Sequence, residues 1–270
     1  MNISEALNMG TKAIGKHEAR LLLSHITALS PAEIITNTNK PLDEKTIGAF
    51  LASIKRREAK EPLQYIMGKW EFMGLEFITD NRALIPRPET ELMVEEAITH
   101  IKKLHRPAKV LDVCTGSGCI AISIAKLTDA DVTAIDISQD ALALATENAA
   151  LHQLQDRIKF VQSDLLHGLK IQTFDIIISN PPYIPSGDIG SLQQELSHEP
   201  ILALDGGPDG LDLYRQLIPQ SMKYLSPGGV LLLEIGPQAV ETIMLGAGYG
   251  MIRTIKDYAG LPRILVGTAV

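Results

Sequence analysis

The sequence predicts an α/β fold: a seven-stranded, mostly parallel sheet with helices on both faces and its last strand antiparallel, preceded by a small helical domain. Three observations predict it. From residue 109 onward, short apolar runs alternate with helical patterns. The last two of these runs lie close enough in the chain to pair antiparallel. Before about residue 60 the periodicity is helical only. A length of 270 residues accommodates one large domain and one small one.

Taken in order, the elements are as follows. Ser4 precedes an amphipathic run through Leu7, and Ala19 to Leu23 continue the pattern. Ser30-Pro31 reads as an N-cap followed by a first-turn proline, and Asp43 as the cap of a helix running through Ile54. Between Gly68 and Pro86 the pattern changes to Trp70-Glu71-Phe72 and Leu75-Glu76-Phe77-Ile78, separated by Met73-Gly74, which predicts a β-hairpin. Pro88 starts the next helix, with Glu89 and Glu91 at the positive end of its dipole. The strands follow at Lys109 to Val113, Val132 to Asp136, Ile158 to Val161, Phe174 to Ser179 and Gly229 to Ile235. A helix from Pro237 to Leu245 and two strands, Gly250 to Lys256 and Arg263 to Thr268, close the chain. The expected organisation is a helical domain over residues 1–67, a hairpin linker over 68–86 and the α/β domain over 87–270.

Composition narrows the function classes. With 45% hydrophobic and 21% charged residues the chain has an ordinary globular core. Its formal net charge of −7 repels a phosphate backbone, so direct nucleic-acid binding is not expected. Lys55, Arg56, Arg57 and Lys60 cluster, and read as a solvated helix face rather than a nucleic-acid patch. The two cysteines, Cys114 and Cys119, flank a glycine-rich turn in a spacing that suits neither a disulfide framework nor a zinc site. The seven histidines are scattered without ligand spacing, so no metal is expected. No basic segment followed by an apolar one opens the chain and no apolar run reaches membrane-spanning length, which predicts a cytoplasmic protein without a membrane partner.

In a sheet of this kind ligands bind beyond the carboxyl ends of the strands, so the loops after the first four strands belong together. The first is Asp112-Val113-Cys114-Thr115-Gly116-Ser117-Gly118, whose glycines permit a tight turn and a close backbone approach at a helix N-terminus. Gly116 and Gly118 also satisfy a dinucleotide fingerprint, and Asp136 stands twenty residues after Gly116, where a carboxylate meets ribose hydroxyls. NAD and S-adenosylmethionine both carry that ribose, so these residues leave the two open. In the third loop Asp164 is placed to accept from an adenine amine while Leu165 covers the ring.

The fourth loop, Asn180-Pro181-Pro182-Tyr183, discriminates. Two prolines stiffen the backbone and donate nothing, Asn180 adds a side-chain acceptor, and Tyr183 adds a flat surface. Together they fit a planar primary amine or amide. An amide nitrogen is a poor nucleophile because its lone pair is delocalised into the carbonyl. Acceptors at Asn180 and at the Pro181 carbonyl orient it and favour the positive charge that develops as it attacks a sulfonium methyl.

With these loops in place the sequence resembles the PrmC/HemK family of protein-(glutamine-N5) methyltransferases, and the resemblance covers nearly the whole chain. Beside Asn180 to Tyr183 it rests on Pro62-Leu63-Gln64-Tyr65-Ile66 with Gly68, and on Leu84-Ile85-Pro86-Arg87-Pro88-Glu89-Thr90-Glu91. Further matches are Glu199-Pro200, Ala203-Leu204, Gly206-Gly207, Asp209-Gly210-Leu211, Tyr214-Arg215, Glu234-Ile235-Gly236 and Gly260 with Pro262-Arg263.

The resemblance implies a Rossmann-like class I methyltransferase sheet that uses S-adenosyl-L-methionine and releases S-adenosyl-L-homocysteine. It implies class I peptide chain release factors as partners, recognised by the helical domain, and methylation of the glutamine in their Gly-Gly-Gln motif. Carried over residue by residue, the cofactor site is Cys114, Thr115, Gly116, Ser117, Gly118, Asp136, Asp164 and Leu165, with Asn180 shared. The substrate site is Asn180, Pro181, Pro182 and Tyr183, of which Asn180, Pro181 and Tyr183 act in catalysis. Cys114 departs from the glycine that many relatives carry. A nucleic-acid adenine-N6 methyltransferase shares the Asn-Pro-Pro-Tyr loop because adenine also presents a planar amine, but the acidic chain disfavours it. A dinucleotide oxidoreductase lacks a hydride-site acid or base here, and a non-enzymatic binding protein would not need an intact Asn180 loop.

Overall fold

The computed structural model describes residues 1–170 and 172–270. The chain forms two compact units, one of Met1–Lys69 with Gln193–His198, the other of Trp70–Leu192 with Glu199–Val270.

The first unit contains α1 (Ile3–Ile14), α2 (Lys16–Thr27), α3 (Pro31–Thr36), α4 (Glu44–Glu58) and α5 (Leu63–Met67). Side chains at the helix starts explain these boundaries. Asn2 caps α1, with Ser4 already inside the helix, because the Asn2 side chain accepts from Glu5 N while the Glu5 carboxylate accepts from Asn2 N. Ser30 and Glu33 make the same reciprocal box before α3, and Asp43 caps α4. The α4 helix continues past Ile54 to Glu58. The apolar stripes bury Ile3, Leu22, Leu23, Ile34, Phe50 and Ile54 in one core. Gly10 lets the helices approach, since a Cβ there would stand 2.8 Å from the Ala19 Cβ and 2.9 Å from the Phe50 ring. In the basic cluster Lys55, Arg56 and Lys60 are exposed, as a solvated face requires, and only Arg57 is not. Arg57 bridges Glu18 at 2.6 Å and Glu195 at 2.8 Å with its side chain only 13% exposed, and Arg56 pairs with Glu61.

The second unit carries the hairpin β1 (Lys69–Phe72) and β2 (Leu75–Ile78). Met73 and Gly74 both have positive φ, the primed geometry that a two-residue hairpin turn requires. After α6 (Pro88–Lys103) come β3 (Lys109–Val113), α7 (Cys119–Leu127), β4 (Asp131–Asp136), α8 (Gln139–Leu151), β5 (Ile158–Gln162) and β6 (Phe174–Ser179). A long loop with short 3₁₀ turns leads to α9 (Asp212–Ser221), β7 (Leu225–Glu234), α10 (Val240–Gly246), β8 (Gly250–Lys256) and β9 (Pro262–Thr268).

The sheet order is β5-β4-β3-β6-β7-β9-β8. All neighbours pair in parallel except those of β9, which inserts antiparallel between β7 and β8. The expected seven strands, with only the last reversed, are therefore present. Side chains alternate between the two faces as the pleat requires. Val110, Val132, Ile176, Ile178 and Leu232 enter the core under α6 and α7, whereas Leu111, Ile177, Leu231 and Leu233 enter the core with Tyr214 and Leu217 of α9. In this unit two boundaries differ from the sequence reading by more than one residue. β7 starts at Leu225 rather than Gly229, with an irregularity that skips from Leu225 to Val230 along β6, and α10 starts at Val240 rather than Pro237. Among the described residues, no helix is long and apolar enough to cross a membrane.

Candidate active site

The chain runs β3, β4, β5 toward one edge of the sheet and then returns to β6 and β7 on the other side of β3. The crevice at that reversal is where an open parallel sheet exposes its strand ends to a ligand. A cleft with about 1050 Å³ of empty space lies there. It is lined by Cys114, Thr115, Gly116 and Ser117 from the first loop, Asp136 and Ile137 from the second, Asp164 and Leu165 from the third, and Asn180 and Pro182 from the fourth.

Each of these positions has a local cause. Thr115 Oγ1 and Ala121 N both donate to Asp112 Oδ2, at 2.6 and 3.2 Å, pinning the first loop to the end of β3. Asp112 is fully buried and its other oxygen has no partner among the described residues, so burial pushes its carboxyl up to about 7. Cys114 takes φ +59 and Gly116 φ +55. The first value places a β-carbon in the left-handed region that favours glycine. Burial raises the Cys114 thiol well above its usual range and the Cys119 thiol to about 12, leaving both neutral and poor nucleophiles.

Asp136 accepts Gly116 N on Oδ2 and Ser138 N on Oδ1, each at 2.9 Å. It therefore ties the first loop to the second while its carboxylate borders the cleft. Burial raises its pKa, and the backbone donors of Ser138 and Gly116 work against that shift. In the third loop, Ser163 Oγ donates to the carbonyls of Leu165 and His167, and Leu165 is held at φ +46 with its side chain buried.

The structure does not bring every expected residue to the cleft wall. Gly118 is the N-cap of α7, and a Cβ there would stand 3.0 Å from Ala145 and Ile122, so it serves helix packing. Pro181 and Tyr183 are also absent from the lining. The Tyr183 carbonyl accepts from Gln238 Nε2 at 2.7 Å, and burial raises its phenol pKa.

Other residues line the cleft without a role from sequence reasoning, including Leu84 to Arg87, Thr90, Leu202 and Ala203. Glu199, with its carboxylate almost fully buried, accepts from Ile85 N at 3.0 Å and pairs with Arg87, fastening this wall. Thr90 Oγ1 donates to the buried Glu234 carboxylate at 2.5 Å and accepts from Asn180 Nδ2 at 3.4 Å. Glu199, Arg87, Thr90 and Glu234 stand in the motifs that carry the resemblance, but only the fold shows what they touch.

Residues 4–68 match the model of the PrmC N-terminal domain, and residues 90–207 match that of the methyltransferase small domain. A release factor glutamine methyltransferase of Geobacter sulfurreducens is 41% identical over 255 residues, spanning 93% of this chain and 88% of the relative. The one of Clostridium acetobutylicum is 40% identical over 256 residues, spanning 92% and 90%. The chain belongs to the release factor glutamine methyltransferase family. Membership makes it a methyltransferase and excludes the dinucleotide oxidoreductase that Gly116, Gly118 and Asp136 left open. The family's fold extends to remote proteins. The 16S rRNA methyltransferase RsmC of T. thermophilus, solved with AdoMet and guanosine, is 19% identical with a TM-score of 0.55, covering 75% of this chain and 50% of that one. At that identity the likeness concerns the fold alone.

Proposed function

We propose that the protein transfers a methyl group from S-adenosyl-L-methionine to the side-chain amide nitrogen (N5) of the glutamine in the Gly-Gly-Gln motif of class I release factors. One observation carries the reading. In a member of this family, a single cleft joins the Asp136 carboxylate, an apolar slot, Asn180 and Pro182.

The cleft residues fit the cofactor. Each Asp136 oxygen spends one lone pair on a backbone N–H and keeps another for a ribose hydroxyl. Ile137, Ala141 and Leu165 supply apolar surface for an adenine ring, and Asp164 supplies an acceptor for its exocyclic amine.

S-adenosyl-L-methionine supplies a sulfonium methyl: the N–C bond forms from the amide lone pair, the C–S pair leaves on sulfur as S-adenosyl-L-homocysteine, and an amide proton passes to solvent. The chain's contribution is to position and polarise the amide. The Asn180 side-chain oxygen and the Pro181 carbonyl accept from its NH₂, fixing the nitrogen's direction and favouring the charge it gains. Pro182 stiffens the turn, and the Tyr183 ring is assigned to pack against the planar amide. The helical residues 1–67 are assigned to recognition of the release factor, whose remote binding energy places the glutamine in the cleft. Transfer of a sulfonium methyl to this amide draws on no metal.

The test is single-turnover methyl transfer at saturating cofactor and release factor. Asn180→Ala is expected to cut the rate about 100- to 1000-fold while cofactor affinity stays near wild type. Tyr183→Phe is expected to stay well above Tyr183→Ala, because it keeps the ring. A wild-type rate for Asn180→Ala would mean that another group activates the amide.

A further inference from the structure

We propose that Thr90 and Glu234 are positioning residues that fix which way round the Asn180 side-chain amide stands, turning its oxygen and not its nitrogen toward the substrate amide. This rests on the function proposed above.

Three elements meet to make the arrangement. Glu234 ends β7, whose residue Leu233 pairs with Ser179 of β6, so Asn180 and Glu234 leave adjacent parallel strands at the same level. Thr90 sits in the first turn of α6, within hydrogen-bond reach of both. Thr90 and Glu234 are each only 2% exposed, and Asn180 is half-buried at the cleft wall. The Thr90 hydroxyl donates to Glu234 Oε2 at 2.5 Å, and Asn180 Nδ2 donates to Thr90 Oγ1 at 3.4 Å. The Tyr214 hydroxyl donates to the Glu234 carbonyl at 2.7 Å and holds the strand end itself.

Proton counting makes this a one-way device. A hydroxyl has one hydrogen, and Thr90 gives it to a carboxylate that can only accept. Toward Asn180 the hydroxyl then has only lone pairs to offer, so the amide must present its NH₂ to Thr90, leaving Oδ1 for the cleft. That matters because the substrate amide also presents an NH₂. Reversed, Asn180 would set donor against donor and would withdraw the acceptor that stabilises the developing positive charge.

Protonation of Glu234 reverses the direction. A carboxylic acid donates to Thr90, Thr90 donates onward to Asn180 Oδ1, and the NH₂ turns into the cleft. Burial raises the Glu234 carboxyl to about 7, a shift opposed by the Thr90 hydrogen bond, Arg263 and Arg87 and reinforced by Glu89. The remaining titratable groups that face it, Tyr183, Tyr214 and Cys119, have raised pKa values and stay neutral there. The favoured polarity is therefore established as pH rises through the neutral range.

The experiment compares wild type, Thr90→Val, Thr90→Ser, Glu234→Gln and Asn180→Ala by single-turnover transfer to release factor and by calorimetric titration with S-adenosyl-L-methionine. Thr90→Val keeps the volume and removes the hydroxyl, and is expected to lower the transfer rate about three- to tenfold with cofactor affinity unchanged. Thr90→Ser is expected to restore the rate. In wild type the rate is expected to rise with pH across the neutral range, and in Glu234→Gln that limb is expected to vanish. Should Thr90→Val fold poorly, the Glu234→Gln profile alone decides. A wild-type rate in Thr90→Val, or an unchanged limb in Glu234→Gln, with Asn180→Ala impaired, overturns this inference and leaves the proposed function standing. A wild-type rate in Asn180→Ala overturns both.

Discussion

Asp136 shows how one side chain serves the loop and the ligand together. Both of its oxygens already hold backbone donors, Gly116 N and Ser138 N, so the same carboxylate that faces the cleft also sets the spacing of its first two loops. Asp136→Ala is expected to weaken S-adenosyl-L-methionine binding by at least one charge-assisted hydrogen bond, about 1.5–3 kcal/mol, and to lower the melting temperature modestly as the loops loosen. Calorimetry showing unchanged affinity would remove Asp136 from the site. At this scale the sequence was legible wherever chemistry and loop position coincided, as at Asp136, Asp164 and Asn180, since each follows a strand recognisable from its apolar run. It placed Thr90 and Glu234 in motifs but gave them no role, since they lie 144 residues apart and meet only through the packing of α6 on the sheet. Nor did it show that Cys114 sits at positive φ, because nothing in a residue's type announces the backbone angle it is forced to take.

At the scale of elements, the strands β3, β6 and β7 are joined at their entry ends by Asp175. Its carboxylate accepts from Arg106 at 2.7 and 2.8 Å, from Lys109 N at 2.9 Å and from Ser226 Oγ at 3.1 Å. The Arg106 hydrogen bonds, then those of Lys109 and Ser226, hold its pKa down to about 2. A depressed carboxylate contributes stability that is complete above its unfolded pKa near 4 and is lost as pH falls through about 2. Arg106 is half exposed, so solvent screens part of the pairing. Asp175→Asn is therefore expected to cost about 1–2 kcal/mol at neutral pH and progressively less in acid, read as a melting-temperature difference that closes toward about pH 2. A difference that stays constant with pH would mean that packing, not charge, accounts for it. Most strands and helices were readable from periodicity and caps, because burial on one or two faces imposes the pattern directly. The start of β7 was not: the readable apolar run begins only after Pro227 and Gly228, which lie in an irregularity of a strand that already pairs at Leu225.

At the scale of the whole molecule, we propose methyl transfer for the second unit and release-factor recognition for residues 1–67. The hairpin belongs with the former, since Phe72 and Phe77 are buried in the core that contains Met93 and Val94. A chain beginning at Trp70 is accordingly expected to bind S-adenosyl-L-methionine, whereas one beginning at Leu84 would open that core. The chain from Trp70 is expected to methylate intact release factor far more slowly than the full protein, and equal rates would show that residues 1–67 do not recognise it. The net charge of −7 is consistent with a protein partner, and added RNA or DNA is not expected to compete. The most direct test of the central claim is mass spectrometry of a purified class I release factor after incubation with this protein and isotopically labelled S-adenosyl-L-methionine. One labelled methyl on the side-chain amide of the Gly-Gly-Gln glutamine is the expected result, and an unmodified glutamine, or label confined to any other residue, would contradict it.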